Sequence, residues 1–305
     1  MKNTITSKAL SLLLAAVMLI VSLPLGSEIL LAEETLSLNV NVPFHSEASF
    51  VADGETVTSK SFRIPAMVTL SDGTIVAASD IRWNTTFDGG GLDTLVARST
   101  DGGVTWSYVT ANYLGDNENT YNGSQSTAFI DPCLTVGADG KTVYMLVDIY
   151  PYGVALNGSG NTAPSTEVGF TDDGYLKLSK TGESGYNYYL KDGYIWKTGD
   201  NKQSGYTVDN YFNLYYNGEK TSNLFFSDSD FKVVRTGYLY LTKSTDGGIT
   251  WSAPTLLDLK TSSEQVCLVG PGRGITTSSG KMIFPVYSYN GSQESQRMGF
   301  IYSDV

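Results

Sequence analysis

Two arginines and several aspartates lie close together in the first third of the chain. Arg63 and Arg82 fall in two runs, Phe62 to Leu70 and Thr74 to Arg82, that are rich in β-branched and small apolar residues. The turn-forming pair Asp72-Gly73 lies between the runs, which is a strong hairpin signal. A two-residue turn there places Arg63 directly opposite Arg82. Because like charges facing each other on a sheet are destabilising, this register predicts that a carboxylate binds between the two guanidinium groups.

The same arginines also have a purely structural interpretation. Their side chains can extend into water or pair with Asp80 and Asp93. A register slip of one residue would also separate the two guanidinium groups. The hairpin alone therefore leaves the anion site open.

An eight-residue pattern occurs twice in the chain. Ser99-Thr100-Asp101-Gly102-Gly103-Val104-Thr105-Trp106 returns as Ser244-Thr245-Asp246-Gly247-Gly248-Ile249-Thr250-Trp251, with seven of the eight positions identical. Asp and Ser side chains bond the amides of turns, Gly admits positive φ, and Trp supplies an apolar anchor. We expect both octapeptides to be structural and to take no part in catalysis.

The octapeptide pattern Ser-x-Asp-x-Gly-x-Thr-Trp resembles the Asp box of secreted bacterial sialidases (neuraminidases). Phe62-Arg63-Ile64-Pro65 resembles the Phe-Arg-Ile-Pro motif of that family. The resemblance implies an all-β, six-bladed propeller, of which these residues would form roughly the first three blades. An incomplete propeller leaves unpaired sheet edges, so we expect the 305 residues alone to be marginally stable and inactive.

Site residues follow from the resemblance where the motifs match. Sialidases bind the carboxylate of sialic acid with three arginines, and Arg63 corresponds to the first. Bidentate recognition explains why arginine is used there. The family's acid/base aspartate follows an Asp-x-Arg segment, which fits Asp88 after Asp80-Ile81-Arg82, with Asp93 as the fallback. Arg82 and Asp131 are then expected to be further ligands of the sugar.

The resemblance implies retaining hydrolysis of terminal sialic acid. A tyrosine activated by a glutamate is the nucleophile in these enzymes, and Asp88 would protonate the departing oxygen and later activate water. The family places that tyrosine, its glutamate and the other two arginines beyond Val305, so none of the 20 tyrosines is assigned. Arg273 and Arg297 lie outside the expected motifs and are interpreted as surface residues.

Three alternatives remain open at this stage. An intramolecular trans-sialidase carries the same two motifs. A non-catalytic sialoside-binding propeller uses Asp boxes without chemistry, although Arg63, Arg82 and Asp88 at their expected spacings argue against it. A glycosidase acting on neutral glucans leaves the Phe-Arg-Ile-Pro motif unexplained.

The elements that must position these residues are successive groups of short strands. Each group of four strands in about 50 residues has the size of one propeller blade. The interval of about 162–232 is interpreted as an insertion of β-hairpins in the second group. The predicted strands are Phe62 to Leu70, Thr74 to Arg82, Leu92 to Arg98 and Val104 to Thr110; Ser126 to Leu134, Thr142 to Ile149 and Gly237 to Lys243; and Leu268 to Thr277, Lys281 to Tyr289 and Met298 to Tyr302.

The amino-terminal segment, 1–32, has the layout of a secretory signal peptide. Basic Lys2 and Lys8 precede an apolar run from Ala9 to Leu25, and the small Ala32 stands before Glu33. An uncleaved membrane anchor is the alternative, although the run is short for a span. We expect a secreted or cell-surface protein with a lead-in at 33–57, including a strand from Leu36 to Val42, and a partial propeller domain at 58–305.

Composition limits the classes of partner and cofactor. The formal net charge of −11 argues against nucleic acid or an anionic membrane, so the expected partners are sialylated glycans held by local arginines. Cys133 and Cys267 lie in apolar runs and are expected to be buried free thiols. His45 is too isolated for a metal site or a catalytic triad. No cofactor is expected, although a structural calcium ion is compatible with an acidic β protein.

Overall fold

Strands and turns make up the described part of the chain. The computed structural model describes residues 41–47, 49–52, 54–83, 85–114, 127–156, 161–200, 202–291 and 296–303, and no helix occurs in these ranges. The prediction of an all-β fold is confirmed. The expected signal peptide lies outside these residues.

The strand expected in the lead-in, from Leu36 to Val42, falls mostly outside the described residues. Residues 36–40 lie outside the described ranges, and Asn41 and Val42 belong to no strand. A hairpin forms further along instead, from β1 (Ser49–Ala52) and β2 (Glu55–Thr58). Strand β1 also pairs in parallel with the strand Ser107–Asn112, through Ala52 and Tyr108.

Four antiparallel strands form what we call the first meander. In sheet order they are β3 (Ser61–Thr69), β4 (Ile75–Arg82), β5 (Leu92–Ser99) and β6 (Ser107–Asn112). Each strand was predicted to within a few residues. Strand β4 is buried along almost its whole length, which is consistent with its central place in the sheet.

The register of the first hairpin corrects one prediction, because Arg63 pairs with Asp80 and not with Arg82. The turn has three residues, closed by a 2.8 Å bond from the Leu70 N–H to the Thr74 carbonyl. This loop shifts the register by one residue. A β-bulge between Arg63 and Ala66 adds a second shift, since Pro65 has no N–H to donate to the ladder.

The second meander is interrupted by a separate sheet. Its strands are β7 (Ala128–Val136) and β8 (Val143–Tyr150), followed after the interruption by β16 (Tyr238–Ser244) and β17 (Thr255–Leu257). The intervening strands form a seven-stranded antiparallel sheet, called here the inserted sheet. They are β9 (Leu176–Lys180), β10 (Tyr188–Lys191), β11 (Tyr194–Lys197), β12 (Lys202–Val208), β13 (Asn213–Tyr216), β14 (Glu219–Asn223) and β15 (Phe231–Val233).

The third sheet has a broken inner strand. Its elements are β18 (Val266–Val269), β19 (Gly272–Arg273), β20 (Ile275–Thr276), β21 (Met282–Tyr289) and β22 (Arg297–Tyr302). Both β18 and β20 pair with β21, whereas β19 between them pairs in parallel with β7 of the second meander. The third sheet is thereby hydrogen-bonded directly to its neighbour.

Apolar packing joins neighbouring sheets. Val68 and Val76 of the first meander pack with Leu134 and Met145 of the second, all of them buried. A larger core lies between the second meander and the inserted sheet and includes Phe129 and Phe231. Burial of each such side chain contributes about 1.5 to 3 kcal/mol. Together, these cores hold in place the inner strands that carry the candidate site.

Both octapeptides form the same hydrogen-bonded turn. Asp101 accepts bonds from the Ser99 hydroxyl at 2.8 Å and from the Thr105 N–H at 2.9 Å, and Asp246 accepts the equivalent bonds at 2.7 and 2.9 Å. The bonds to Asp101, foremost that from the Thr105 hydroxyl, lower the pKa of its carboxyl to about 2. The aspartate therefore acts as an ionised acceptor at the centre of each turn.

The second octapeptide also connects the second meander to the first. The Gly247 carbonyl accepts a bond of 3.0 Å from Arg98 Nε of the first meander. Trp251 packs against the core between the two meanders. In the first octapeptide, Trp106 donates instead to the Asn41 side chain at 3.0 Å.

The two cysteines are free thiols, as expected, but they are not equally buried. Cys133 is buried, whereas Cys267 is only half-buried. Burial raises the pKa of the Cys133 thiol to about 12. A buried thiol with a high pKa is chemically inert, so Cys133 is interpreted as a core residue.

Candidate functional site

A cleft of about 230 Å³ is lined by residues from the first meander, the second meander and the third sheet. The lining side chains include charged, aromatic and aliphatic groups. They are Arg63, Ile64, Asp88, Ile130, Asp131, Tyr150, Leu156, Leu268 and Tyr287. The structure thus brings together three of the four residues predicted to bind or act on substrate, namely Arg63, Asp88 and Asp131.

Two β-bulges aim inner-strand side chains at this cleft. Ile64 has φ 57° and Asp131 has φ 64°, and each residue directly precedes a proline. The ladder breaks at the corresponding place in both strands, after Arg63 in β3 and after Ile130 in β7. Positive φ costs roughly 1 to 3 kcal/mol for such residues and persists only where the surroundings enforce it. Strain of this kind is concentrated at functional sites, which supports the choice of this cleft.

Arg63 and Arg82 both contact one carboxylate, but it is the side chain of Asp88 and not the bound carboxylate that the sequence predicted. Asp88 Oδ1 lies 3.0 Å from Arg63 Nη1 and 2.8 Å from Arg82 Nη1. The two arginines converge because Asp88 reaches back from the loop that follows β4, although they do not face each other in the ladder. Arg63 remains half exposed and is the guanidinium open to the cleft.

Arg82 lies behind Asp88 and does not line the cleft. Its side chain has no exposed surface. Its guanidinium donates to the carbonyls of Thr86 and Phe87 as well as to Asp88. Arg82 therefore fixes the loop that carries Asp88, and a contact between Arg82 and a sugar requires Asp88 to move. The role of Arg82 as a substrate ligand stays a prediction.

Asp80 is a buried residue to which sequence reasoning gave no part in the site. Its Oδ2 accepts a bond of 2.9 Å from Arg82 Nη2, and its Oδ1 accepts one of 3.0 Å from the N–H of Asp131. Burial raises the pKa of the Asp80 carboxyl, and the Arg82 guanidinium opposes this rise. The structural alternative weighed for the arginines is thus realised for Arg82 and Asp80.

The fallback acid/base residue, Asp93, lies outside the cleft. Its side chain is buried and accepts a bond of 2.7 Å from Trp83 Nε1. Asp93 is therefore part of the packing below the loop, and Asp88 is the only one of the two that lines the cleft.

Carboxylates dominate the electrostatics of the cleft. Burial, followed by the charge of Asp88, raises the pKa of Asp131 to about 6, while the guanidinium groups of Arg82 and Arg63 oppose the rise. Burial and Asp148 also raise the pKa of Tyr150 and Tyr287. Because a raised pKa disfavours the phenolate, neither tyrosine is activated as a nucleophile in this arrangement.

The remaining predicted groups lie away from the cleft. Arg273 and Arg297 are exposed and do not line it, and His45 is exposed. Within the described ranges, no cluster of three His, Cys, Asp or Glu side chains is arranged to hold a metal ion. The same ranges contain no helix able to span a membrane.

Comparison with known proteins places the chain in a family. Residues 64–305 match the BNR repeat-like domain. The chain belongs to this family. The anhydrosialidase of Macrobdella decora is 31% identical over 90% of this chain and 41% of its own length. Sialidase B of Streptococcus pneumoniae is 27% identical over 77% of this chain and 40% of its own length.

Solved structures of similar proteins agree with this assignment. The intramolecular trans-sialidase of Ruminococcus gnavus aligns with a TM-score of 0.68 at 30% identity, over 80% of this chain and 58% of its own. A leech intramolecular trans-sialidase aligns with a TM-score of 0.71 at 26% identity, over 88% of this chain and 44% of its own. The fold is therefore β-propeller-like. The chain spans about two-fifths of the length of the two sequence relatives.

Proposed function

We propose that this chain forms the amino-terminal part of a sialidase propeller, which acts on terminal sialic acid of glycoproteins, glycolipids and oligosaccharides. The observation that carries the proposal is the meeting of Arg63, Asp88 and Asp131 in one cleft. These residues stand at the spacings of the sialidase motifs, and relatives named as sialidases match over most of the chain. On this proposal the octapeptides are Asp boxes that fasten the blades.

Arg63 is assigned to the carboxylate of the sugar. A guanidinium binds a carboxylate through two parallel N–H bonds, and in the free cleft Arg63 already holds the Asp88 carboxylate at 3.0 Å. The substrate carboxylate would displace Asp88 from Arg63. After taking up a proton from water, Asp88 would protonate the departing glycosidic oxygen, and the resulting carboxylate would afterwards accept a proton from the attacking water.

Asp131 is assigned to the substrate as a further ligand of the sugar. The nucleophilic tyrosine and its glutamate are proposed to lie outside residues 1–305, as in the family's general arrangement. The exposed apolar side chains of Met298, Phe300 and Tyr302 on β22 are then the surface on which a further blade would pack. Export through the segment 1–32 belongs to the same proposal, and amino-terminal sequencing of the mature protein should begin near Glu33.

One experiment separates the proposed activity from its alternatives. The natural full-length protein is incubated with 3′-sialyllactose, and the products are identified by NMR. Free sialic acid indicates hydrolysis. Binding without turnover, unchanged in Asp88→Ala, would refute the enzyme and leave a sialoside-binding propeller. Turnover lost in Asp88→Ala with binding retained supports the acid/base role.

An intramolecular trans-sialidase is the second candidate, and a specific observation favours it. Two similar solved structures are described as intramolecular trans-sialidases, and the leech protein is in complex with 2,7-anhydro-Neu5Ac. In such a reaction the sugar's own hydroxyl replaces water. Appearance of 2,7-anhydro-Neu5Ac in the same NMR experiment would therefore favour transfer over hydrolysis.

A further inference from the structure

We propose that Asp80 is a positioning residue of this site, which sets both Asp88 and Asp131 through one buried carboxylate. Its two oxygens have two partners from two different meanders. Oδ2 accepts from Arg82 Nη2 of its own strand, and Oδ1 accepts from the N–H of Asp131 in the neighbouring meander. The expected effect on ligand binding rests on the proposed function, whereas the hydrogen bonds of Asp80 do not depend on any substrate.

The bond to Asp131 fixes a strained backbone. Asp131 has φ 64°, and the bulge in β7 takes it out of the ladder between Ile130 and Cys133. Its N–H therefore lacks the strand partner that a regular register supplies, and a buried amide without a partner is costly. Asp80 provides that acceptor. The left-handed conformation in turn keeps the Asp131 carboxylate among the groups lining the cleft.

The bond to Arg82 affects Asp88, another carboxylate that lines the cleft. Arg82 has no exposed surface, and its Nη1 holds Asp88 Oδ1 at 2.8 Å. A guanidinium anchored on one edge by Asp80 presents its other edge in a fixed direction. Asp80 thus controls the orientation of Asp88 through Arg82, without touching the cleft itself.

The second meander contains a matched control. Asp148 has no exposed surface and, like Asp80, precedes an isoleucine in the second strand of its meander. Asp80 pairs with Arg63 in the ladder, and Asp148 pairs with Ile130 at the equivalent place. Asp148 Oδ1 accepts a bond of 2.9 Å from the N–H of Val269 in the third sheet. It therefore shares burial, position and type of bond with Asp80, but it serves a different backbone.

The test compares Asp80→Asn with Asp148→Asn in the full chain. Asparagine keeps the shape but has a single acceptor oxygen, so the side chain introduced by Asp80→Asn cannot accept from both Arg82 and Asp131. Amide hydrogen exchange at Asp131 should accelerate in Asp80→Asn and remain unchanged in Asp148→Asn. Exchange at Val269 should remain unchanged in both variants, because the asparagine introduced by Asp148→Asn keeps the one acceptor oxygen that the Val269 N–H uses. Unchanged exchange at Asp131 in a folded Asp80→Asn would overturn the proposal.

Ligand binding supplies a readout that lost stability alone does not move. Affinity for 3′-sialyllactose is measured by calorimetry at a temperature where both variants are folded. Asp80→Asn should weaken binding by about 10-fold to 100-fold, the equivalent of one lost charged hydrogen bond, and Asp148→Asn should leave it within about twofold. Equal weakening in both variants would reduce Asp80 to a structural residue.

Two further outcomes are also decisive. If no form of the protein binds 3′-sialyllactose, the proposed function fails, and the exchange rates, which need no ligand, still decide the position of Asp131. If Asp80→Asn does not fold, wild-type exchange decides instead. Protection of the Asp131 amide as strong as that of Val269 supports the proposal, whereas exchange as fast as that of exposed loop amides overturns it.

Discussion

Removal of the Arg82 side chain charge is expected to destabilise the fold far more than removal of an exposed charge. Arg82→Met leaves the Asp80 carboxylate buried without its cation, at a site where both side chains have no exposed surface. Breaking a buried ion pair by deleting one partner costs about 3 to 5 kcal/mol. This is a large fraction of the roughly 5 to 15 kcal/mol by which a typical domain is stable.

A surface pair provides the control for this prediction. Lys60 Nζ lies 2.6 Å from Glu47 Oε1, closer than the 2.9 Å between Arg82 and Asp80, but its side chains are 52% and 68% exposed. Lys60→Met should destabilise the fold much less than Arg82→Met, because exposed pairs are hydrated and screened. Urea denaturation at neutral pH measures both losses. A cost for Lys60→Met that equals or exceeds that of Arg82→Met would refute the argument from burial.

The same reasoning predicts strong coupling between Arg82 and Asp80. Asp80→Asn in the Arg82→Met background removes the stranded charge, so the double variant should be more stable than Arg82→Met alone. The deficit of Arg82→Met should also shrink as pH falls, because burial raises the pKa of Asp80 and Arg82 is the main group opposing that rise. Additive costs, or a deficit independent of pH, would contradict an ionised buried pair.

Three further predictions concern the cleft wall, the second octapeptide and the core. The pKa of Asp131 is raised from 3.8 to about 6, so the folded state binds this proton more tightly than the unfolded state does. The unfolding free energy should therefore fall as pH rises from about 4 to about 6. Urea titrations at several pH values should show a smaller fall in Asp131→Asn. Gly248→Ala should destabilise the fold more than Gly103→Ala at the equivalent position of the first octapeptide. A Cβ at Gly248 would lie 3.2 Å from a Val76 methyl, whereas one at Gly103 would lie 3.6 Å from Trp106. Equal midpoints of urea denaturation for the two variants would contradict this. In a Cys267→Ser background, which removes the half-buried thiol, Cys133 should react with a disulfide reagent such as DTNB at pH 8 only as fast as the protein unfolds, because burial raises the pKa of its thiol to about 12. Rapid labelling of this native variant would refute the burial of Cys133.

Sequence patterns located the strands and the three charged residues that line the cleft, but they did not predict how the strands pair. The turn at Asp72-Gly73 and the apolar runs beside it gave strand bounds within a few residues of β3 and β4. The pairing of Arg63 was wrong by two residues, because turn length and bulges depend on backbone conformation rather than on the apolar pattern. A short polar loop then brought Asp88 to both arginines, which no register argument alone predicts.

The two buried carboxylates, Asp80 and Asp148, were missed for a different reason. Asp80 and Asp148 each lie inside an apolar strand, and their partners, the N–H groups of Asp131 and Val269, belong to the next sheet in space. A single sequence does not show which backbone amide lacks a partner. A signal was nevertheless present, since Asp80-Ile81 and Asp148-Ile149 recur at matching positions of two predicted strands. A charged residue repeated inside buried strands indicates a bond across sheets, because such a group is otherwise too costly to bury.

A proline that recurs in the inner strands explains how sheets of similar architecture contribute different side chains to one cleft. Inner strands are interrupted at Ile64-Pro65, Asp131-Pro132 and Gly270-Pro271. Since proline cannot donate to the ladder, each strand loses its regular pairing at that point, and the residues beside it are released from the alternation of faces. The first sheet uses this release to present Arg63, and the second uses it to present Asp131. The residues before these prolines do differ, since Arg63 and Ile64 in the first sheet correspond to Ile130 and Asp131 in the second. The same interruption of the strand therefore places a guanidinium in the cleft from one sheet and a carboxylate from the next.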